Sequence, residues 1–216
     1  MLTNNGYFRT TDPTVKVTGG MDLLPSWWSR PYEYAWAIQF AKSGQVVADM
    51  GCGWSGRPFK EELADRGCEV YAIDGDPRML DLPAHKGVRL IVRKFLEPMD
   101  DLPQFDTIFC ISVLEDLTTD LPEVLKKFAS KLKPDGLLVV TFDTPYDREK
   151  PTPVYPGLDI PVFLKAISEA NFVFVLVQGK INSSDFDEFE DKENAVNHPE
   201  WNLCVWHGVF RKYEST

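Results

Sequence analysis

The chain has 216 residues, with 33 acidic and 23 basic side chains and a net charge of −10. That balance argues against nucleic acid as a partner, because phosphate neutralisation needs clustered Lys and Arg. Apolar residues make up 44% of the chain. That is enough for the core of one α/β domain with a modest extension, while no run of roughly 18 apolar residues is available to cross a membrane.

Residues 1 to about 25 are polar and rich in Gly and Thr, which reads as a loosely held lead-in without a secretory signal. A helix is expected over Ser26–Lys42, with Pro31 near its start and a dense set of aromatics: Trp27, Trp28, Tyr32, Tyr34, Trp36 and Phe40. Apolar strand-like runs follow at Val46–Asp49, Glu69–Asp74, Val88–Val92, Thr107–Ser112, Leu137–Asp143, Phe172–Val177 and Leu203–Arg211. Helical segments lie between most of them. The clearest is announced by Asp120 and Glu123 as a capping-box-like pair and carries Val124, Leu125, Phe128 and Leu132 at helical spacing. Lys126, Lys127, Lys131 and Lys133 on it read as a solvated face. Lys133-Pro134-Asp135-Gly136 marks a turn before the next strand, and a further helix is expected from Asp159 to Ala170.

Alternation of this kind implies a parallel sheet covered on both faces. Residues 1–44 read as an extension with its aromatic helix, and residues 45–216 as the main domain. Cys52, Cys68, Cys110 and Cys204 are scattered without metal-like spacing, which fits a reducing cytoplasm. The acidic stretch Ser183–Glu200 reads as a solvated connection or lid. It lacks the glycine and spacing of a calcium loop, so no metal is expected there.

The most informative segment is Val46-Val47-Ala48-Asp49-Met50-Gly51-Cys52-Gly53-Trp54-Ser55-Gly56. An apolar strand runs into a glycine turn, and a second strand ends about 20 residues later in Asp74. That is the spacing of a nucleoside-binding βαβ unit, in which a carboxylate accepts hydrogen bonds from ribose hydroxyls. Gly51, Gly53 and Gly56 satisfy GxGxxG, so a nicotinamide dinucleotide is one possible ligand. Asp49, two positions before Gly51, would repel a pyrophosphate and suits an ammonium group instead. S-adenosylmethionine carries an ammonium, a sulfonium and a ribose, and no phosphate.

With these residues in view, the chain resembles the class I S-adenosylmethionine-dependent methyltransferases. Asp49-Met50-Gly51-Cys52-Gly53 is similar to their first motif and Ala72-Ile73-Asp74-Gly75-Asp76 to their second. Phe105 to Glu115 resembles the fourth-strand motif, with Asp116 where His is usual. Leu132 to Val140 resembles the turn and fifth strand. The resemblance implies a Rossmann-like, doubly wound and mostly parallel seven-stranded sheet whose last strand is antiparallel, with an N-terminal helical extension over the cofactor. It implies that Gly51, Cys52 and Gly53 line the methionine and ribose part, that Asp74 and Gly75 hold the ribose, and that Asp49 orients the ammonium. The backbone of Ile111 and Ser112 would close the other side. The acid that reads the adenine amino group is either Glu97 or absent, with Phe95 or Leu96 for apolar contact, and Arg30 is either a partner for the cofactor carboxylate or a surface arginine.

Methyl transfer is mainly a matter of alignment. Glu115, Asp116, Asp143 and His198 are the residues able to act as a base, whereas His85 and His207 read as ordinary loop and strand residues. The Asn-Pro-Pro-Tyr-type signature of amino-group methylases is absent at Cys110-Ile111-Ser112-Val113. With the acidic charge of the chain, this makes a small molecule or carbohydrate the expected acceptor, with a protein as the remaining option. A cofactor-binding scaffold without turnover and a nicotinamide-dependent oxidoreductase are the alternatives.

Overall fold

The computed structural model describes residues 5–14, 21, 23, 26–54, 58–117, 120–147, 149–153, 156–175 and 195–213. Parallel pairing joins β2 (Val46–Met50) to β3 (Glu69–Asp74) and to β5 (Phe105–Ile111), β3 to β4 (Val88–Val92), and β5 to β6 (Leu132–Pro145). Antiparallel to β6 runs β9 (Leu203–Lys212), so the mostly parallel sheet with a reversed last strand is present. The strand path is β1-β9-β6-β5-β2-β3-β4.

The outer edge of β9 is covered piecewise. β8 (Asn197–His198) pairs at Leu203 and Cys204, β1 (Asn5–Tyr7) at Trp206 to Gly208, and β7 (Phe172–Phe174) at Phe210 to Lys212. Three short strands in tandem shield the backbone groups that an edge would leave open. The N-terminal lead-in is thus part of the sheet. Phe8 is 1% exposed and its ring meets those of Trp36 and His207 at centroid distances of 6.0 and 4.4 Å. Of the run expected at Phe172–Val177, Phe172–Phe174 form a strand, and residues 176–194, which include its end and most of the acidic connection, lie outside the described residues. The end of that connection is folded in: Ala195 bridges Arg9, and Ala195 and Val196 are buried.

Residue alternation along the strands sends side chains to two cores. Ala48, Met50, Ile108, Cys110, Val140 and Phe142 face α3 (Leu121–Lys131) and α4 (Ile160–Glu169). Val47, Val70, Phe109, Ile111, Val139 and Val205 face α1 (Arg30–Ala37) and α2 (Phe59–Asp65). The Asp120 carboxylate caps α3 by accepting from the Glu123 N–H at 3.3 Å. Glu123 does not complete a capping box, because its carboxylate pairs with Lys126. The turn at Lys133–Gly136 is a register shift within the β5–β6 ladder, with Asp135 at φ +63°. The helix expected over 26–42 is shorter, ending in a 3-10 turn at Ile38–Phe40. Among the described residues no helix is long and apolar enough to cross a membrane.

Because Phe8 closes one core from the N-terminal strand, Phe8→Ala is expected to cost about 3–5 kcal/mol, the usual range for a buried phenylalanine. Urea denaturation measures this. A loss below about 1 kcal/mol would mean that the N-terminal strand is dispensable.

Candidate functional site

The carboxyl ends of β2, β3 and β5 surround a cavity of about 440 Å³, within the size range of small-ligand sites. Gly51 forms part of its wall. The Gly51 N–H donates to the Ile73 carbonyl at 2.7 Å, and Gly51 and Gly53 adopt φ of +77° and +71°. A Cβ on Gly51 would lie 2.5 Å from a Val113 methyl, so the turn after β2 and the turn after β5 approach each other only because this residue is glycine.

Asp74, the last residue of β3, fastens this turn. One carboxylate oxygen accepts from the Gly53 N–H at 2.8 Å, and the other from the Asp76 N–H at 2.9 Å. Asp74 and Gly75 line the cavity, and Phe95, Leu96, Val113 and Leu117 supply its apolar walls. Glu97 is also in the lining, where its carboxylate accepts from the Lys94 N–H at 3.2 Å and so shapes the turn between them. Arg93 reaches the same wall but is bound bidentately to Asp101, at 2.6 and 2.8 Å. The lysines of α3 are more than a solvated face. Lys127 donates to the carbonyls of Leu96 and Glu97 at 2.5 and 2.8 Å, and Lys131 to that of Leu102 at 3.0 Å. They tie the cavity loop to the helix.

A glycine turn fixed by a strand-end carboxylate, beside an apolar slot, is the arrangement expected of a nucleoside site. A family model described as a methyltransferase domain matches residues 48–140, the segment that builds it. That segment is thus similar to a methyltransferase domain, in agreement with the resemblance carried by the sequence motifs. A probable cobalt-precorrin-6B C(15)-methyltransferase (decarboxylating) from Methanothermobacter thermautotrophicus is 34% identical over 104 residues, covering 44% of this chain and 51% of that protein. The chain thus matches about half the length of that relative. Among solved structures, the [4+2]-cyclase SpnF superposes with a TM-score of 0.64 at 15% identity, covering 94% of this chain and 90% of its own. The 1,6-didemethyltoxoflavin-N1-methyltransferase of Burkholderia thailandensis, with bound 1,6-didemethyltoxoflavin and S-adenosylhomocysteine, gives 0.61 at 19% identity, with coverages of 88% and 80%. At these identities the two structures show a shared fold.

Asp49, Cys52, Gly53, Ile111, Ser112 and Arg30, also expected at the site, are not among the residues that line the cavity. Asp49 is 5% exposed near the end of β2. Burial, with Asp49 and Asp74 adding to it, pushes the Cys52 thiol up, which keeps it protonated and a poor nucleophile. Ile111 and Ser112 are buried at the end of β5, and Val113 is the residue of this turn that reaches the cavity. Ser112 adopts φ +45°, rare for a residue other than glycine and kept only where surrounding contacts hold it. Its N–H donates to the Thr141 carbonyl and hydroxyl at 2.9 and 3.0 Å.

Glu33, which was not among the expected site residues, explains that grip. Fully buried on α1, its carboxylate accepts from the Ser112 hydroxyl at 2.6 Å, from the Thr141 hydroxyl, and from Arg30 Nη1 at 2.7 Å. Arg30 also donates through Nη2 to the Ser112 carbonyl at 3.5 Å. Burial alone would push the Glu33 carboxyl up. Arg30 and the hydroxyls of Ser112, Ser29 and Thr141 outweigh it and hold the group below the ordinary glutamate range. The only sequence hint is that Glu33 follows Arg30 by three residues beside Tyr34 and Trp36, on a helix too aromatic to stand in water.

His198 lies at the same end of the sheet, stacked on Trp201 at 4.0 Å with Trp28 edge-on at 5.8 Å. His207 is buried in β9, and His85 is a loop residue 3.4 Å from Asp65. Asp116 is exposed in the turn after β5.

Two outcomes follow. Gly51→Ala will be strongly destabilising, and adding Val113→Ala will restore part of the loss by removing the clash but not the backbone strain. Additive losses in thermal unfolding would contradict the contact. A depressed carboxyl pKa contributes stability above the unfolded value, about 4.3, that is lost as pH falls through the lower folded value. Glu33→Gln is therefore expected to cost about 3–5 kcal/mol at neutral pH, by leaving Arg30 buried without its partner. It will also flatten the acid limb of the stability–pH curve. An acid limb identical to wild type would refute the ionised state of Glu33.

Proposed function

We propose that this chain is an S-adenosylmethionine-dependent methyltransferase acting on a small molecule. The observation that carries the reading is Asp74, a strand-end carboxylate that fixes the glycine turn and lines an apolar cavity of nucleoside size. The donor set fits this cofactor. Asp74 holds the ribose hydroxyls while its own backbone contacts keep the carboxylate in place. Phe95, Leu96, Val113 and Leu117 enclose the adenine, with Glu97 available to its amino group. Asp49 faces the ammonium end, and Arg30 balances the carboxylate end while anchored to Glu33. When bound, the cofactor supplies an activated methyl group. The protein's contribution is orientation and exclusion of water.

A pyrophosphate fits less well. Asp49, Asp74 and Glu97 surround the site, and Arg93 in the lining is already neutralised by Asp101. The relatives named above act on a cobalt-precorrin and on 1,6-didemethyltoxoflavin, which together with the acidic charge of the chain supports a small-molecule acceptor over nucleic acid.

Titration calorimetry with S-adenosylhomocysteine tests the cofactor reading. Asp74→Ala is expected to weaken binding roughly 10- to 100-fold, equivalent to about 1.5–3 kcal/mol for hydrogen bonds to a charged group. Unchanged affinity in the variant would overturn the role of Asp74. Binding of NAD with no uptake of S-adenosylmethionine or its demethylated product would overturn the function. Labelled S-adenosylmethionine incubated with a small-molecule cell extract is expected to give a labelled acceptor, and absence of any labelled product would favour a binding protein without turnover.

A further inference from the structure

Glu115 lies in the 3-10 turn Leu114–Asp116 that follows β5, and Asp143 lies near the carboxyl end of the neighbouring strand β6. One oxygen of the Glu115 carboxylate accepts from the backbone N–H of Asp143 at 3.0 Å, and the charge of the Asp143 side chain acts on Glu115. The other, Oε2, is shut off from solvent and has no hydrogen-bond partner among the described residues. An ionised carboxylate in that setting is costly, whereas a protonated one is not. The charged and titratable groups around Glu115 are Asp143 on β6, Arg30 on α1 and Cys110 on β5. Arg30 is the cation of the set, and its Nη1 is bound to Glu33. Asp49, at the end of β2, acts on Cys110 together with Glu115. Glu115 therefore feels the charge of Asp143 beside Arg30, whose Nη1 is held by Glu33, while Asp49 and the buried Lys60 both act on Cys52 after β2.

We propose that Glu115 and Asp143 share one proton, release it when a cation arrives at these strand ends, and take it back when methyl transfer removes that charge. The inference rests on the cofactor reading above and adds the destination of the proton. Burial, with Asp143 adding to it, pushes the Glu115 carboxyl well above the usual range, in keeping with a carboxyl that stays protonated near neutrality. The balance closes. An acceptor X–H forms the X–C bond, the S–C bond breaks with its electron pair going to sulfur, and the positive sulfonium becomes a neutral thioether. The proton lost from X passes to the pair, which returns to its singly protonated state.

The test needs no knowledge of the acceptor. Infrared difference spectroscopy of the free protein at neutral pH is expected to show the carbonyl stretch of a protonated carboxyl that is lost in Glu115→Gln. Calorimetry in buffers of different ionisation enthalpy then counts the protons released on binding S-adenosylmethionine and S-adenosylhomocysteine. Wild type is expected to release up to about one more proton with the sulfonium than Glu115→Gln does, with no such excess for the thioether. Asp143→Asn gives the same comparison should Glu115→Gln fold poorly. Identical counts in wild type and variant, or no protonated carboxyl in the free protein, would overturn the proposal. Failure of both nucleosides to bind would instead sink the cofactor reading, and the infrared band would still decide whether the pair holds a proton.

Discussion

The Asp74 carboxylate is the constraint on which the site depends. By accepting from the N–H groups of Gly53 and Asp76, it binds the end of β3 to the turn after β2. Two parallel strands that end side by side leave their last backbone donors pointing into the same space, and one carboxylate there satisfies both. The turn it fixes is the one in which Gly51 lets Val113 close in from β5. Cavity shape, the approach of the two turns and a hydrogen-bond acceptor for a ligand's hydroxyls all follow from one side chain.

A second carboxylate does for the outer layer what Asp74 does for the turn. Glu33 pins α1 to the ends of β5 and β6 through Ser112 and Thr141, with Arg30 supplying the compensating charge. Replacing a whole buried ion pair by well-packed apolar residues often costs little in stability, so the value of the pair lies in geometry. It holds Ser112 in a left-handed backbone conformation and sets the helix over the strand ends. The carboxyls at this end of the sheet are thus in different electrostatic states. Glu33 is held ionised by an arginine and three hydroxyls, whereas Glu115 is driven towards its neutral form by burial beside Asp143.

Much of this architecture was legible in the residues. The limits of β3 and β4 fall where the apolar runs end, and the glycine turn with Asp74 follows from spacing alone. Local chemistry also announced the Asp120 cap and the start of α4 after Asp159. Contacts between distant parts of the chain were not legible. Asn5-Gly6-Tyr7 is too short and polar to show strand alternation, and it is a strand because β9 offers an open edge. Glu33 lies 79 and 108 positions from its hydroxyl partners, so nothing near it in sequence signals a buried role. Lys126 and Lys127 look equally solvated, yet Lys126 pairs with Glu123 on its own helix while Lys127 holds the cavity loop by two carbonyls. Only the packing of α3 against that loop separates them.

The account turns on a nucleoside seated between the glycine turn and the Phe95–Leu96 wall. A crystal structure of the protein soaked with S-adenosylhomocysteine tests this most directly. It is predicted to show both ribose hydroxyls hydrogen-bonded to the Asp74 carboxylate and the adenine enclosed by Phe95, Leu96, Val113 and Leu117. A nucleoside bound elsewhere, or a ribose turned away from Asp74, would contradict it.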